Sequence, residues 1–278
     1  MSWQSVARKD FSDALRARSL WVLSALFIML IAGLAYAFAT LFAGQSREIS
    51  TLAFIVVLQS TAGLFISIAG VLVTYKSIAG ERESGSIKLL LGLPNTRGDV
   101  VLGKVLGRAV TVVVPLLAGF ALALLINVTM YSEVNFGAFL LFTVLTILYA
   151  AVFTTIGVGI SSAFATTSRA AAVAIGFWFL NGVLWDTIAL GLDFLVSDGP
   201  RPPAAGGEPT PDWILVFQGL SPGAAYGNAT AFFMPPEITD QLAGSYGSLP
   251  EWYGVVVLLG WAALALGFGF WRFRNADL

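Results

Sequence analysis

Six long stretches with almost no charged residues constrain this sequence more than any other feature. They cover residues 20–42, 49–75, 109–131, 137–161, 170–192 and 253–271. Each stretch is long enough for a helix to cross the hydrocarbon core of a bilayer, which takes about 20 apolar residues. The sequence therefore predicts an all-α integral membrane protein with six transmembrane helices.

The composition supports this class because there are too few charges to cover a soluble surface. Only 11% of the 278 residues are charged and the mean hydropathy is +0.83, whereas a soluble domain carries about 25% charged residues. The chain contains no Cys and no His, which excludes disulfides, thiolate chemistry, most zinc and haem sites and His-based catalysis. We therefore expect neither a metal site nor an enzyme activity in this chain.

The basic residues give an independent test of the topology, because cytoplasmic loops carry an excess of Lys and Arg. With six spans and both termini cytoplasmic, the outer segments hold only Arg47 and Arg201 of the 15 Lys and Arg residues. All the others lie in inner segments. We therefore predict a multi-pass protein of the plasma membrane with both termini in the cytoplasm.

Residues 1–18 show helical periodicity. The apolar positions are Trp3, Ala7, Phe11, Ala14 and Leu15, and the polar positions are Arg8, Lys9, Ser12, Asp13 and Arg16. This pattern predicts an amphipathic helix on the inner leaflet, with membrane lipid as its partner; the alternative is a polar tail that shows the periodicity by chance. The stretch is too polar for a cleaved signal peptide, so we expect none.

Residues 193–252 form the predicted external loop before the sixth span. Residues 213–236 contain no charged residue, but Ser221, Pro222 and Gly223 interrupt them, which argues against a continuous helix. A seventh crossing would also place Arg272 and Arg274 outside. We predict two short re-entrant or interfacial helices instead, at residues 213–220 and 224–234.

Polar side chains are rare within the predicted spans. Asp186 is the only charged residue well inside one of them, and a charge in hydrocarbon is costly, which makes Asp186 a functional candidate. Asn181 and Gln59 are further intramembrane candidates. Because Asp186 lies towards the outer end of its helix, simple contact with external water is the alternative.

Residues 76–108 form the one sizeable predicted cytoplasmic loop. Its leucines beside mixed charges are typical of a docking element for a cytosolic partner; the alternative is that they pack on the ends of the protein's own helices. Thr96 and Asp99 have the spacing of a capping box, which predicts that a helix starts there and continues into the third span.

The same loop contains a partial nucleotide-binding pattern. Gly98 to Lys104 match the first seven positions of a P-loop, but Val105 stands where Ser or Thr should hold magnesium, and no strand precedes the run. We therefore predict that the chain does not hydrolyse ATP itself.

The run from Gly80 to Pro94 reads Gly-Glu-Arg-Glu-Ser-Gly-Ser-Ile-Lys-Leu-Leu-Leu-Gly-Leu-Pro, and the run from Arg97 to Lys104 continues it. These runs resemble the ABC-2 type permease family, and they look closest to the branch that contains the permease for nitrous-oxide reductase maturation. In that family such a run follows the second span and forms a coupling helix that sits in a groove of the ATPase. The resemblance covers the whole chain and implies a single transmembrane domain over residues 1–278.

This resemblance implies the permease subunit of an ABC export system. The path would form with a second permease copy, identical or not, and ATP and magnesium would bind to separate cytosolic ATPase subunits; no cofactor on this chain and no nucleic-acid partner are expected. The implied ATPase-coupling residues are Glu81, Arg82, Glu83, Ser84, Gly85, Ser86, Ile87, Lys88, Leu89 and Leu90. Among them Glu81, Arg82, Glu83 and Lys88 would supply charged contacts, and Ile87, Leu89 and Leu90 buried contacts.

The alternative function is an ion-gradient-driven secondary transporter or a channel. Such a protein is expected to show inverted repeats, broken spans or several intramembrane charges. This sequence has one intramembrane charge and no evident repeat.

Overall fold

The computed structural model of the chain describes residues 3–41, 47–92, 95–130, 135–197, 211–231, 249–250 and 252–276. Every regular element in these residues is helical. The helices are α1 (Trp3–Arg16), α2 (Arg18–Leu41), α3 (Arg47–Thr74), α4 (Ala79–Glu83), α5 (Ser86–Gly92), α6 (Arg97–Met130), α7 (Phe136–Ala163), α8 (Thr167–Phe179), a π-helical segment (Leu180–Leu184), α9 (Trp185–Val196), α10 (Asp212–Gly219), α11 (Pro222–Ala231) and α12 (Trp252–Arg274).

Six helical stretches among the described residues are long and apolar enough to cross a membrane. They are α2, α3, α6, α7, the continuous helix from α8 to α9, and α12, which we number spans 1 to 6. The predicted all-α membrane fold is therefore confirmed, and the protein is a multi-pass membrane protein. The end of the bundle that carries α1, α4 and α5 is called the α1 end below.

Span 3 begins well before the residues predicted to lie in the membrane. The Thr96 backbone N–H donates to Asp99 Oδ2 at 2.9 Å, and the Asp99 N–H donates to Thr96 Oγ1 at 3.1 Å. This reciprocal pair is the predicted capping box. The resulting helix has 34 residues and is about 51 Å long at 1.5 Å per residue. Because the hydrocarbon core is about 30 Å thick, its first turns project beyond it.

Span 4 is the centre of the bundle. Seventeen of the 28 residues of α7 are buried, and it packs against α3, α6, α11 and α12. Aromatic rings fill much of the core beside it, including the stacked pair Phe120 and Phe142 with centroids 5.1 Å apart. Spans 1, 5 and 6 are mostly exposed by comparison, so their outer surfaces are available to lipid or to another chain.

The N-terminal helix packs on the projecting turns of span 3. Its buried stripe is Val6, Asp10 and Ala14, which differs from the predicted apolar face because two glycines of α6 let the backbones approach. A Cβ atom at Gly103 would lie 2.7 Å from Trp3 O and from Val6 Cβ, and one at Gly107 would lie 2.8 Å from Ala7 O. The predicted contact of α1 with the inner leaflet stays a prediction.

The helices α10 and α11 form a hairpin at the opposite end of the bundle, and the re-entrant or interfacial position predicted for them stays a prediction. The chain turns at Leu220 and Ser221, and Trp261 Nε1 donates to Leu220 O at 2.8 Å. Trp261 lies two and a half turns into α12, about 13 Å from its start, so the hairpin tip lies beside the interior of span 6 and not at its start. The two predicted short helices are thus present, although residues 232–234 of the second lie outside the described residues.

Buried polar contacts hold this hairpin in place. Tyr226 stacks on Tyr149 with ring centroids 4.4 Å apart, and its hydroxyl lies 2.6 Å from Thr146 Oγ1. The Gly254 N–H donates to Asn228 Oδ1 at 2.9 Å. These contacts attach α11 to spans 4 and 6.

We predict that Gly103→Ala displaces α1 from span 3, because the added methyl group overlaps backbone and side-chain atoms of α1. Overpacking of this kind typically costs about 1–3 kcal/mol. Trypsin cleavage after Arg8 and Lys9 in detergent should accelerate. Gly98→Ala on the same helix is the matched control, because its Cβ meets only ordinary contacts at 3.6 Å and beyond. Equal cleavage rates in both variants would contradict the proposed packing role of Gly103.

Candidate functional site

The α4–α5 segment, residues 79–92, follows span 2 at the α1 end of the bundle. Ser161 of α7 fixes its start, because the Ile78 and Ala79 N–H groups both donate to Ser161 Oγ at 3.0 Å while that hydroxyl donates to Tyr75 O at 2.7 Å. Gly85, with a φ of 75°, turns the chain between α4 and α5. This left-handed conformation is accessible to glycine at little cost.

Glu81 binds span 3. Lys104 Nζ donates to Glu81 Oε1 at 2.8 Å and to Asp10 Oδ1 of α1 at 3.1 Å. Arg108 Nη2 also donates to Asp10 Oδ1, at 3.2 Å. The cluster contains two carboxylates and two cations, and the side chains of Asp10 and Lys104 are nearly inaccessible. Removing one partner from such a buried ion pair costs about 3–5 kcal/mol, because a charge is left without compensation.

Arg82 binds the end of span 4. Its Nη1 donates to Phe164 O at 3.1 Å and to Ser162 O at 3.4 Å. These carbonyls belong to the last turn of α7 and the residue that follows it, where the helix dipole is negative. A guanidinium group is therefore well matched to this position.

Glu83 binds the start of span 5. The Thr167 N–H donates to Glu83 Oε2 at 2.9 Å, and Thr167 is the first residue of α8. The unpaired N–H groups at a helix start favour an anion. Three consecutive charged residues thus contact three different spans, and each pairs with a group of opposite charge or opposite partial charge.

The apolar residues of α5 divide between the interior and the surface. Ile87 and Leu90 are buried in an apolar cluster with Ile78, which precedes α4, and with residues of α1, α6, α7 and α12. These residues are Val6, Val100, Val101, Val105, Val158 and Phe273. Leu89 is 79% exposed, and its neighbour Lys88 is also exposed. Ser84 and Ser86 complete the exposed side of the segment, with their hydroxyls 3.0 Å apart.

The ten predicted coupling residues therefore lie together but face two directions. Glu81, Arg82, Ile87 and Leu90 contact the protein's own spans, and so does Glu83 through its carboxylate. The side of the segment that carries Ser84, Ser86, Lys88 and Leu89 is open. Contact of any of these residues with an ATPase stays a prediction.

Sequence reasoning missed the residues that receive the α4–α5 segment. Ser161, Thr167 and Asp10 carry no motif, although Asp10 lies one turn from Val6 and one from Ala14 on the buried stripe of α1. Lys104 stands in the P-loop-like run, which the structure places inside α6. A helix offers no anion-binding loop, so the role of Gly103 and Lys104 is to bind α1 and α4.

The three intramembrane candidates occupy two spans. Asp186 is exposed in the first turn of α9, directly after the π-helical segment that contains Asn181. Asn181 Nδ2 donates to Phe177 O at 3.0 Å. Gln59 lies on α3, and no hydrogen bond of the described residues joins it to the other two. Single π-helical turns within α-helices frequently occur at functional sites.

Trp185 fixes this part of span 5 against the hairpin of α10 and α11. Its Nε1 donates to Phe217 O at 2.9 Å, and the two rings stack with centroids 4.9 Å apart and an interplanar angle of 5°. Asp186 follows Trp185 directly. The hairpin therefore sets the position of the one charged residue in the interior of span 5.

Comparison with known proteins gives consistent relatives along the whole chain. The family model described as "ABC-2 family transporter protein" matches residues 4–278. The "Probable ABC transporter permease protein NosY" of Pseudomonas aeruginosa is 32% identical over 279 residues, covering 97% of this chain and 98% of the relative. The protein of the same description from Stutzerimonas stutzeri is 31% identical over 271 residues, covering 93% and 96%.

We predict that Arg82→Met loosens the α4–α5 segment from span 4. Hydrogen bonds to a charged group contribute about 1.5–3 kcal/mol, and about 1.4 kcal/mol corresponds to a factor of ten. Amide hydrogen exchange in residues 80–85 should therefore accelerate about tenfold. Arg169→Met, which removes an exposed arginine from α8, is the control and should leave this exchange unchanged. Unaltered exchange in Arg82→Met would show that the two carbonyl contacts do not hold the segment.

Proposed function

Since this chain belongs to the ABC-2 family of transporter proteins and is the permease subunit of an ABC transporter, we propose that its partner ATPase binds the exposed side of the α4–α5 segment. ATP and magnesium bind to that separate ATPase, and its movement drives the spans. The observation that carries the proposal is an exposed leucine, Leu89, on a segment that is otherwise tightly attached to the bundle.

The exposed side of α5 has the composition of a small docking surface. Leu89 provides apolar surface for a partner to bury, and Lys88 beside it would lie at the polar edge of the contact. Ile87 and Leu90 on the other side of the same short helix pack against the bundle, so Leu89 is not needed for that packing. A single exposed apolar side chain is common on protein surfaces, and Leu89 supports docking because it lies beside Lys88 on the open side of an otherwise attached segment.

The attachments of the segment provide the route from the ATPase to the spans. A displacement of α5 passes through Glu81 to span 3, through Arg82 to span 4 and through Glu83 to span 5. Ser161 binds the start of the segment to span 4 as well. Glu81, Arg82 and Glu83 thus transmit force inside the permease, while the exposed side of α5 receives it.

The orientation follows from the distribution of basic residues. With six spans, thirteen Lys and Arg residues lie towards the α1 end, and Arg47 at the start of α3 lies at the opposite end. We infer that the α1 end and both termini are cytoplasmic and that the protein lies in the plasma membrane. This orientation places the α4–α5 segment where a cytosolic ATPase reaches it.

The translocation path is proposed to form between two permease copies and to serve export. Few residues of spans 1 and 5 are buried in a single chain, which leaves apolar surface for contact with a second copy. Asp186 is exposed on span 5, and a charge is costly against lipid. We therefore place Asp186, with Asn181 of the adjacent π-helical segment, on a water-accessible surface of the path, and Gln59 of span 2 as a further candidate.

We predict that Leu89→Asp abolishes co-purification of the ATPase from mild detergent. Burying a leucine contributes about 1.5–3 kcal/mol, so its loss alone weakens binding by about tenfold or more. The fold should persist because the side chain contacts little of the permease. Leu89→Met is the matched control and should retain the ATPase. Retention by a folded Leu89→Asp variant would exclude this surface, and absence of any ATPase with the wild type would favour an ion-gradient-driven transporter.

We predict that a cysteine at position 186 reacts with a membrane-impermeant maleimide added from the outside. The native chain contains no cysteine, so Asp186→Cys gives a signal without background. Ile188→Cys is the control, because two residues along a helix place it on the opposite side, where we expect lipid and slow labelling. Equal labelling of both positions, or of neither, would contradict a water-accessible surface at Asp186.

A further inference from the structure

We propose that Lys104 is a positioning residue that makes the N-terminal helix α1 move together with the α4–α5 segment. The inference rests on the proposed function, because the movement begins at an ATPase bound to α5. It adds a second element that the ATPase drives, besides the spans themselves.

The geometry places one ammonium group between two carboxylates from distant parts of the chain. Lys104 Nζ lies 3.1 Å from Asp10 Oδ1 on α1 and 2.8 Å from Glu81 Oε1 on α4. Lys104 is 3% exposed and Asp10 is 5% exposed. The two contacts are directional, so they fix the position of α1 relative to α4 more closely than the apolar contacts around them.

The contact with Lys104 is not needed to neutralise Asp10. Arg108 already binds that carboxylate, with Nε 2.7 Å from Oδ2 and Nη2 3.2 Å from Oδ1. Lys104 therefore adds a bridge rather than a missing counter-charge. Apolar residues of similar volume often replace a buried ionic cluster without loss of stability, so the bridge is better explained by the position that it fixes.

The bridge completes a continuous line of contacts. A displacement at Leu89 passes along α5 and α4 to Glu81, then through Lys104 to Asp10 and α1. Val6 of α1 lies in the same apolar cluster as Ile87 of α5, which keeps the two elements in contact while the ionic bridge sets their register. The N-terminal helix thus follows the segment as part of one rigid body.

The test uses a variant that removes the bridge without leaving an unpaired buried charge. Lys104→Met alone leaves Glu81 without its partner and is open to misfolding. The double variant Lys104→Met with Glu81→Gln is neutral, and it preserves the pair between Asp10 and Arg108. The matched control is Lys9→Met with Asp13→Asn, which removes one cation and one carboxylate from the exposed side of α1.

The readout is the distance between spin labels on introduced cysteines, with labelled chain diluted into unlabelled chain. The pair at Gln4 and Ser84 reports on α1 relative to the segment, and the pair at Ser84 and Arg169 reports on the segment relative to span 5. We expect the first distribution to broaden about twofold in the neutral double variant as the helix gains freedom. The second distribution, and both distributions in the control, should keep the wild-type width.

Two results would overturn the proposal. If the Gln4–Ser84 distribution keeps its wild-type width in the double variant, the bridge does not position α1. If both distributions broaden together, the variant loosens the whole α1 end and Lys104 has only a structural role.

The distance measurement uses the permease alone, so its outcome does not depend on whether an ATPase binds. Co-purification of the ATPase is measured on the same variants and should persist in the neutral double variant. Absence of an ATPase from the wild type refutes the proposed function, whereas a rigid α1 in the double variant refutes only the role of Lys104.

Discussion

The bilayer core offers no hydrogen-bonding partner to a backbone group or to a charge, and this constraint shapes the whole chain. It confines the spans to helices, whose backbone groups are satisfied internally. It also drives most charged residues to the α1 end of the bundle. The interruption at Leu220 and Ser221 obeys the same constraint, because Trp261 Nε1 donates a hydrogen bond to the Leu220 carbonyl.

At the α1 end, charged residues are used as attachments. Arg82 binds the carbonyl end of one span and Glu83 binds the N–H end of the next, so the two side chains match opposite poles of helices that follow each other in the chain. Such hydrogen bonds to an ionised group are stronger than those between neutral groups. A short segment of 14 residues thereby becomes part of the rigid body of the spans.

The same segment is also suited to receive a partner, because its two sides have different environments. The attached side contains Ile87 and Leu90, and the open side contains Lys88 and Leu89. A displacement on the open side reaches the spans directly, since no flexible linker separates the two sides. This arrangement supports the proposal that a separate ATPase moves the permease.

The sequence alone determined the features that depend on local composition. The six spans, the helix start at Thr96 and Asp99 and a break beside Pro222 follow from hydropathy, capping and proline chemistry, although α11 begins at Pro222, two residues before the predicted start. The α4–α5 segment and the family were also predicted, because the motif is continuous in the chain. The sequence also distinguished the run that contains Gly103 and Lys104 from a true P-loop, because position 105 is Val where the motif requires Ser or Thr.

Only the tertiary structure decided what each side chain of that motif contacts. Glu81, Arg82 and Glu83 are neighbours in sequence, but their partners lie 23, 80 and 84 residues away. The buried stripe of α1 depends in the same way on glycines of α6 that periodicity within α1 cannot reveal. Local patterns specify which residues are helical and apolar, whereas the pairing of charges requires distant helix ends to meet in the folded bundle.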